Sequence, residues 1–358
     1  MNNLLNIYEN TIPKTTILQR KVSIIDPFTI LSGATKSGKT YLIYDYLSQY
    51  EPNKYLYINL HDIRIIQEDI FEFLAMFIVS NNIEVLVLEN FDFNFDLEIL
   101  YSLKSIIITP NKEYKQLKNF SELSVMPLDF EEYILFDNKH QNTVNSFNSF
   151  FKYGNFPEII QIDEPNKLIR NQEVIKLITT NQTQFEILKL LIKNSGELKS
   201  IFQLFNIMKK YFKISKDLFY ESCQLFEQQS LIYFCPKYEV AKAPKKVFCY
   251  NHALLDAVSL NKNFNNLFST MIFLELNKLY EEIYYLDNID FYIEEDNSVI
   301  LSIPFFNDFS VLSAKILPII EKYNISNITI VTISTNKTTF IDDIECEILP
   351  FYEWALTL

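Results

Sequence analysis

Eight consecutive residues, Gly33-Ala34-Thr35-Lys36-Ser37-Gly38-Lys39-Thr40, hold two of the four glycines in a chain of 358 residues. Two glycines separated by four residues and followed by Lys and Thr fit the pattern G-x-x-x-x-G-K-[ST]. Glycine lets the backbone curl until successive N–H groups point into one concavity, a nest for a β-phosphate. Lys39 is expected to set its ammonium against β- and γ-phosphate oxygens, and Thr40 to offer its hydroxyl to Mg²⁺. The helix that follows would aim its positive N-terminus at the same anion. The eight residues Gly33, Ala34, Thr35, Lys36, Ser37, Gly38, Lys39 and Thr40 are therefore the expected cradle for ATP.

A second element must bring a carboxylate to the metal, and "VLVLENF" ends in Glu89 and Asn90. An Asp followed by a Glu is the usual provision at such a strand end. Glu89 reaches the metal with a longer arm, whereas Asn90 orients water but accepts no proton from it. Strand alternation would place Asp92 on the same side as Asn90. Thr109, ending "SIIIT" on the next apolar strand, is placed to sense the γ-phosphate or the lytic water; a turn cap is its alternative role. Three arginines exist, Arg20, Arg64 and Arg170. Arg64 and Arg170 are candidates to reach a phosphate, with plain surface residence as the simpler expectation.

The elements that would position these groups alternate along residues 26–110. "FTILSG" precedes the glycine loop and "KTYLIYDYLSQY" carries apolar residues at helical spacing. "KYLYINL", "IEVLVLENF" and "SLKSIIITP" read as strands and "QEDIFEFLAMFIVS" as a helix. Continuous apolar strands separated by helices predict a parallel sheet covered on both faces. The pattern changes at the turn-rich "FFKYGNFPEIIQIDEPNKL". Three helices from residue 181 and a strand pair, "LIYFCPKY" and "KKVFCY", suggest a winged helix. A helix, several strands and a helix near 309–323 suggest a third, small α/β unit. The expected division is 1–165, 166–258 and 259–358.

Bulk properties restrict the partners. A formal net charge of −13 repels polyphosphates unless a local basic patch intervenes. Lys209, Lys210, Lys213 and Lys216, with Lys237, Lys242, Lys245 and Lys246 at the presumed wing, are the candidate patch. They would track DNA phosphates without reading bases, or form a solvated lysine-rich face. Tyr211, Phe212, Phe219 and Tyr220 alternate with them at core-like helical spacing. The four cysteines have no C-x-x-C spacing, and His61, His140 and His252 form no zinc-ligand cluster. Neither a secretory leader nor an 18-residue apolar window is visible, so a cytoplasmic location is expected.

The motifs and their order resemble a widespread prokaryotic family of AAA+-like P-loop ATPases with a C-terminal nuclease-like domain. The resemblance runs through Gly33–Thr40, "YLYINLHDIRI", "VLVLENF", "SIIIT", "VMPLDFEEYILF", "YGNFPEII" and "APKKVFCYNHALLDAV". It implies an α/β P-loop sheet, then a winged helix, then a small α/β nuclease-like domain. It also implies ATP and Mg²⁺ as ligands, with Thr40 and Glu89 on the metal and Asn90 and Thr109 at the reacting water. Two departures stand out. Glu89-Asn90 replaces the family's Asp-Glu, and the Gly-Arg pair before "MPLDF" is absent. The nuclease positions read Ser269, Asp290 and Ser302-Ile303-Pro304, one carboxylate of three and no lysine, so that domain is expected to be inactive. Glu275, Glu294 and Glu295 are the carboxylates that would have to rebuild it. The expectation is a nucleotide-dependent switch with slow hydrolysis; the alternative is a DNA-binding regulator in which ATP is structural.

Overall fold

Short β-branched and aromatic runs alternate with amphipathic segments, and the chain folds accordingly. The computed structural model describes residues 2–10, 12–13, 17–111, 117–139, 142–306 and 309–358; His140 lies outside them. Two compact units result, one ending at Met126 and one running from Pro127 to Leu358.

The first unit contains α1 (Asn2–Glu9), β1 (Phe28–Ser32), α2 (Lys39–Leu47), β2 (Tyr55–Asn59), α3 (Gln67–Ser80), β3 (Val85–Phe91), β4 (Ser105–Pro110) and β5 (Ser121–Ser124). The five strands form one parallel sheet in the order β2-β3-β4-β1-β5. Both faces are covered. Leu86, Leu88, Ile106 and Ile108 pack with Ile70, Leu74 and Phe77 of α3, while Val85, Val87 and Ile107 pack with Leu42, Ile43 and Leu47 of α2. Strands buried on both sides read as continuous apolar runs, which is why they were legible. The period of two then sends odd-numbered residues of β3 toward α2, and Glu89 inherits that direction.

The second unit begins with helices α4 (Phe130–Phe136), α5 (Thr143–Tyr153), α6 (Glu164–Ile178), α7 (Gln182–Lys193), α8 (Ile201–Met208) and α9 (Lys216–Gln228). The antiparallel pair β6 (Ile232–Cys235) and β7 (Lys246–Cys249) follows, then α10 (Leu254–Val258). Ser200 and Ser215 cap α8 and α9 with their side chains, the expected use of serine ahead of an apolar helix.

The rest of that unit is α11 (Phe264–Leu276), β8 (Tyr284–Leu286), β9 (Ile289–Ile293), β10 (Ser298–Ser302), α12 (Phe309–Tyr323), β11 (Asn327–Thr332), β12 (Lys337–Ile341), β13 (Ile344–Pro350) and α13 (Phe351–Trp354). Its six strands are ordered β12-β13-β11-β10-β9-β8, with β10, β11 and β13 mutually parallel and the others antiparallel. Every residue of α11 from Leu267 to Leu276 is buried, consistent with a helix apolar on all sides. Among the described residues no helix is long and apolar enough to cross a membrane.

Candidate functional site

The octet joins the C-terminal end of β1 to the N-terminus of α2. Three of its residues have positive φ: Gly33 at +117°, Lys36 at +70° and Gly38 at +103°. L-residues avoid this region, so the loop is held in a conformation the glycines make accessible. At Gly33 the constraint is also steric, since a Cβ there would lie 2.2 Å from the carbonyl oxygen of Val125. Gly38 occupies the position before α2, where no side chain caps the helix. Its first N–H groups therefore lack the side-chain acceptor that Ser or Asp would supply. Ala34 and Ser37 are buried, so they bring backbone groups rather than side chains to the loop's concavity. The Ser37 Oγ has no hydrogen-bond partner among the described residues.

Two side chains are folded onto this loop. The Lys39 ammonium donates to the carbonyls of Gly33 (2.6 Å) and Ala34 (2.8 Å). Burial lowers its pKa from 10.5 to about 8, opposed by the nearby Glu89 carboxylate. Arg20 clamps the loop from outside, donating from Nη1 to the Ser37 carbonyl (2.9 Å) and from Nη2 to that of Met126 (2.8 Å).

Glu89 is buried at the end of β3 on the α2 side. Thr40 Oγ1 donates to its Oε1 at 2.7 Å, and the Tyr57 hydroxyl donates to its Oε2. Burial, reinforced by the Glu89 charge, pushes the Tyr57 phenol well above its usual pKa, keeping it a donor. The structure thus brings Thr40 and Glu89 together, the pair expected at the metal. An ion of the Mg²⁺ type takes oxygen ligands, and a hydroxyl beside a carboxylate at the loop's end is such a set.

Asn90 departs from simple alternation. Its φ is +59° and the β3–β4 register shifts between Leu88 and Phe91. This bulge turns the Asn90 amide to Asn59, whose Oδ1 accepts from Nδ2 at 2.8 Å. The Asn90 N–H donates to Thr109 Oγ1 at 2.9 Å. Thr109 therefore braces the bulge, the capping role weighed in its sequence context, on the face it shares with Ile107. Asp92 does not join Asn90 as alternation suggested, because the bulge resets the register; its Oδ1 accepts from Asn111 Nδ2 at 2.8 Å.

Arg20, Tyr57 and Asn59 were not singled out by sequence. No local signal pointed to them: Tyr57 and Asn59 come opposite Val87 and Glu89 only because β2 pairs in register with β3, and the loop that carries Arg20 has no periodicity. Arg64 is exposed and held by Asp62. Arg170 pairs with Glu158 and Glu173.

The lysines of the candidate patch divide into two groups. Lys209, Lys210, Lys213, Lys216, Lys242 and Lys245 are exposed. Lys246 is turned inward, its Nζ on Asp290 Oδ1 at 2.8 Å and near the Tyr285 and Phe291 rings. Lys237 pairs with Asp287. Phe219 is fully buried, as its spacing suggested, but Tyr211 is 58% exposed. On α9, Asp217, Glu221 and Glu227 line a cavity of about 440 Å³ with Tyr220 and Phe234.

Asp290 also accepts the Ser302 N–H at 2.9 Å, so its oxygens are engaged by an ammonium and an amide. Glu275 Oε1 accepts the Phe130 N–H, and Glu294 the Tyr238 hydroxyl, so they serve separate neighbourhoods. Among the described residues no three His, Cys, Asp or Glu side chains gather where they could hold a metal.

No protein-family model matches the chain. It is 22% identical to an uncharacterized protein of Methanocaldococcus jannaschii over 96% of this chain and 92% of that one. Among solved structures, a Walker-type ATPase of Pyrococcus abyssi is 13% identical with a TM-score of 0.45, over 65% of this chain and 91% of that one. A signal-transduction ATPase with numerous domains and a tetratricopeptide repeat sensor, from Pyrococcus horikoshii, is 13% identical with a TM-score of 0.28, over 70% of this chain and 43% of that one. Neither superposition is close enough to carry a function across.

Proposed function

We propose that the first unit binds ATP with Mg²⁺ at Gly33–Thr40 and Glu89 and acts as a nucleotide-dependent switch with slow hydrolysis. The observation that carries this reading is the loop itself. Positive φ at Gly33, Lys36 and Gly38 turns it around the end of β1, directly ahead of a helix with no side-chain cap. A triphosphate tail there meets backbone N–H groups and the positive helix end. Lys39 would exchange the Gly33 and Ala34 carbonyls for phosphate oxygens. The metal, held by Thr40 and Glu89, would supply positive charge to the phosphate oxygens.

Slow turnover follows from the residues at the strand end. Glu89 is held by Thr40 and Tyr57, and Asn90, bonded to Asn59, is no proton acceptor. With Asn90 and Thr109 braced against each other, water at this position is oriented rather than deprotonated. Binding is then better served than catalysis. The accompanying reading of the rest is a helical and winged-helix segment at 166–258 and an inactive nuclease-like segment at 259–358, in a cytoplasmic protein. The helices α7, α8 and α9 with the β6–β7 hairpin support the first, and the Lys246–Asp290 pair supports the second.

ATP titration and a steady-state turnover assay on the full chain test the switch. Micromolar binding with turnover well below about 1 s⁻¹ is expected, against usual enzyme values near 10 s⁻¹. Unaltered ATP affinity in Lys39→Ala would remove the reading.

The DNA-binding alternative retains one favourable observation, the exposed Lys209, Lys210, Lys213 and Lys245. The carboxylates along α9 and the inward turn of Lys246 weigh against it. Duplex binding that weakens steeply with salt would restore it.

A further inference from the structure

Tyr57 and Asn59 each have two faces. One face of the pair holds the strand end of β3: Tyr57 donates to Glu89, and Asn59 accepts from Asn90 and from the His61 N–H. The other lines a cavity of about 440 Å³ that Asn3, Asn6 and Asn10 enclose from the side of α1. The cavity wall is therefore hydrogen-bonded to the two residues assigned to the metal and the water. We propose that this cavity is an effector site for a neutral, nucleoside-sized molecule, whose occupancy changes how Glu89 and Asn90 are held. The regulatory half of this inference rests on the P-loop reading given above.

The chemistry of the lining selects the ligand class. Four carboxamides line the cavity, those of Asn3, Asn6, Asn10 and Asn59; Asn59 Oδ1 and Asn10 Nδ2 are already bonded within the protein, and each amide otherwise carries a donor and an acceptor. That is the complement of a planar heterocycle edge, and Asn pairs bidentately with adenine in this way. Ile7, Ile12 and Ile65 supply the apolar surface for the faces of such a ring.

The only charges in the described lining, Asp62 and Arg64, are bonded to each other through Nε (2.9 Å) and Nη2 (2.5 Å). Arg64 holds the Asp62 carboxyl low, at about 2, so the pair stays charged and mutually neutralised at working pH. A charged ligand finds no spare counter-ion among these residues, whereas a neutral one has no charge to satisfy. The volume lies within the range of about 300–1,000 Å³ usual for small-molecule sites.

Coupling follows from the geometry. A ligand hydrogen-bonded to the Tyr57 hydroxyl or the Asn59 amide competes with Glu89 or Asn90 for the same atoms. Displacing either alters the strand end that completes the P-loop site, and by reciprocity ATP must alter the effector's affinity equally. Tyr57 is in this sense a positioning residue.

Calorimetric titration of the full chain with adenosine tests the proposal, using three variants. Adenosine should bind the wild type and Lys39→Ala alike, and bind at least tenfold more weakly to Asn6→Trp, which fills the cavity from an exposed helix position. Saturating adenosine should change Mg·ATP affinity fivefold or more in the wild type. That change should vanish in Tyr57→Phe, which keeps the ring in the cavity wall but removes the bond to Glu89. Thermal melting of each variant reports its folding, and Asn3→Ala replaces Asn6→Trp should the latter not fold. Absence of adenosine binding at millimolar concentration overturns the proposal. So does binding that saturating Mg·ATP excludes altogether, which would place the nucleoside in the P-loop site, or binding that leaves ATP affinity unchanged. Failure of the wild type to bind ATP would sink the P-loop reading alone, because adenosine binding and its loss in Asn6→Trp read the cavity directly.

Discussion

Two sheet carboxylates in this protein have opposite surroundings. Glu89 ends a strand of the five-stranded parallel sheet, and its oxygens accept from two hydroxyls, Thr40 and Tyr57. Asp290 lies in the six-stranded mixed sheet, and its oxygens accept from the Lys246 ammonium and the Ser302 amide. Hydroxyl partners leave the charge of Glu89 in place for an incoming cation. The Lys246 ammonium cancels that of Asp290. A carboxylate on a strand is thus a candidate site or a structural bond according to its partners, which come from elsewhere in the chain.

The largest expected effect separates the two regions outright. Lys39→Ala should weaken ATP binding about 100-fold, the scale of a lost charge-assisted phosphate contact in a desolvated site, while Asp290→Ala leaves it unchanged. Titration calorimetry on both variants reads the contrast; equal losses would erase it.

Gly33→Ala comes next. Its Cβ meets the Val125 carbonyl oxygen at 2.2 Å in a left-handed conformation, and the strain should cost about 2 kcal/mol or more. Thermal unfolding would show this, and an unshifted midpoint would mean the loop relaxes freely.

The pH dependence of ATP affinity is smaller. The pKa of Lys39 is lowered to about 8, so its charge in the nucleotide-free protein is lost as pH rises through that value. Bound phosphates favour the charged form, so binding takes up a proton. Affinity should fall about tenfold between pH 7 and 9, one protonation's worth over that interval. The same depression means the unfolded chain holds more protons between pH 8 and 10.5. This residue therefore detracts from stability at neutral pH, and the deficit is relieved as pH rises through that window. A flat affinity profile would place the ammonium in water rather than on the loop carbonyls.

The smallest effect belongs to the second region. Lys246→Ala strands Asp290 beside a partly buried wall and should cost about 1 kcal/mol, the lower end for an orphaned partner given its partial exposure. Chemical denaturation would measure it, with no change in ATP affinity expected.

Much of the first unit could be read from the chain. "FTILS", "YLYIN", "VLVLENF" and "SIIITP" are β1 to β4, and "QEDIFEFLAMFIVS" is α3 residue for residue. Each is long, apolar and bounded by breakers, so local pattern sufficed. The strand β5, "SELS", escaped because an edge strand with alternating exposure carries little apolar signal. In the second unit α12 was legible as the helix near 309–323, whereas β12 and β13 were not individually so. β12 is exposed along most of its length and β13 alternates exposed and buried positions, so both draw their order from pairing rather than composition.

The site shows the same division. Gly33, Gly38, Lys39 and Thr40 stood out as candidates because the G-x-x-x-x-G-K-[ST] spacing is contained within eight residues. Glu89 followed from the end of an apolar strand. Asn90 was correctly placed at that end, but its direction was not foreseeable, because the bulge depends on a hydrogen bond to Thr109 nineteen residues away. Tyr57, Asn59 and Arg20 were invisible as site residues, since adjacency across β2 and β3, or across a loop, is not written in local sequence.

By itself, then, the sequence determined where backbone must be free to turn left-handed and which apolar runs must be buried, because those demands act within a few residues of chain. Tertiary structure alone decided which partner each polar group at a strand end would face. Hydrogen-bond partners there are supplied by segments distant along the chain, and only the closed sheet brings them within 3 Å.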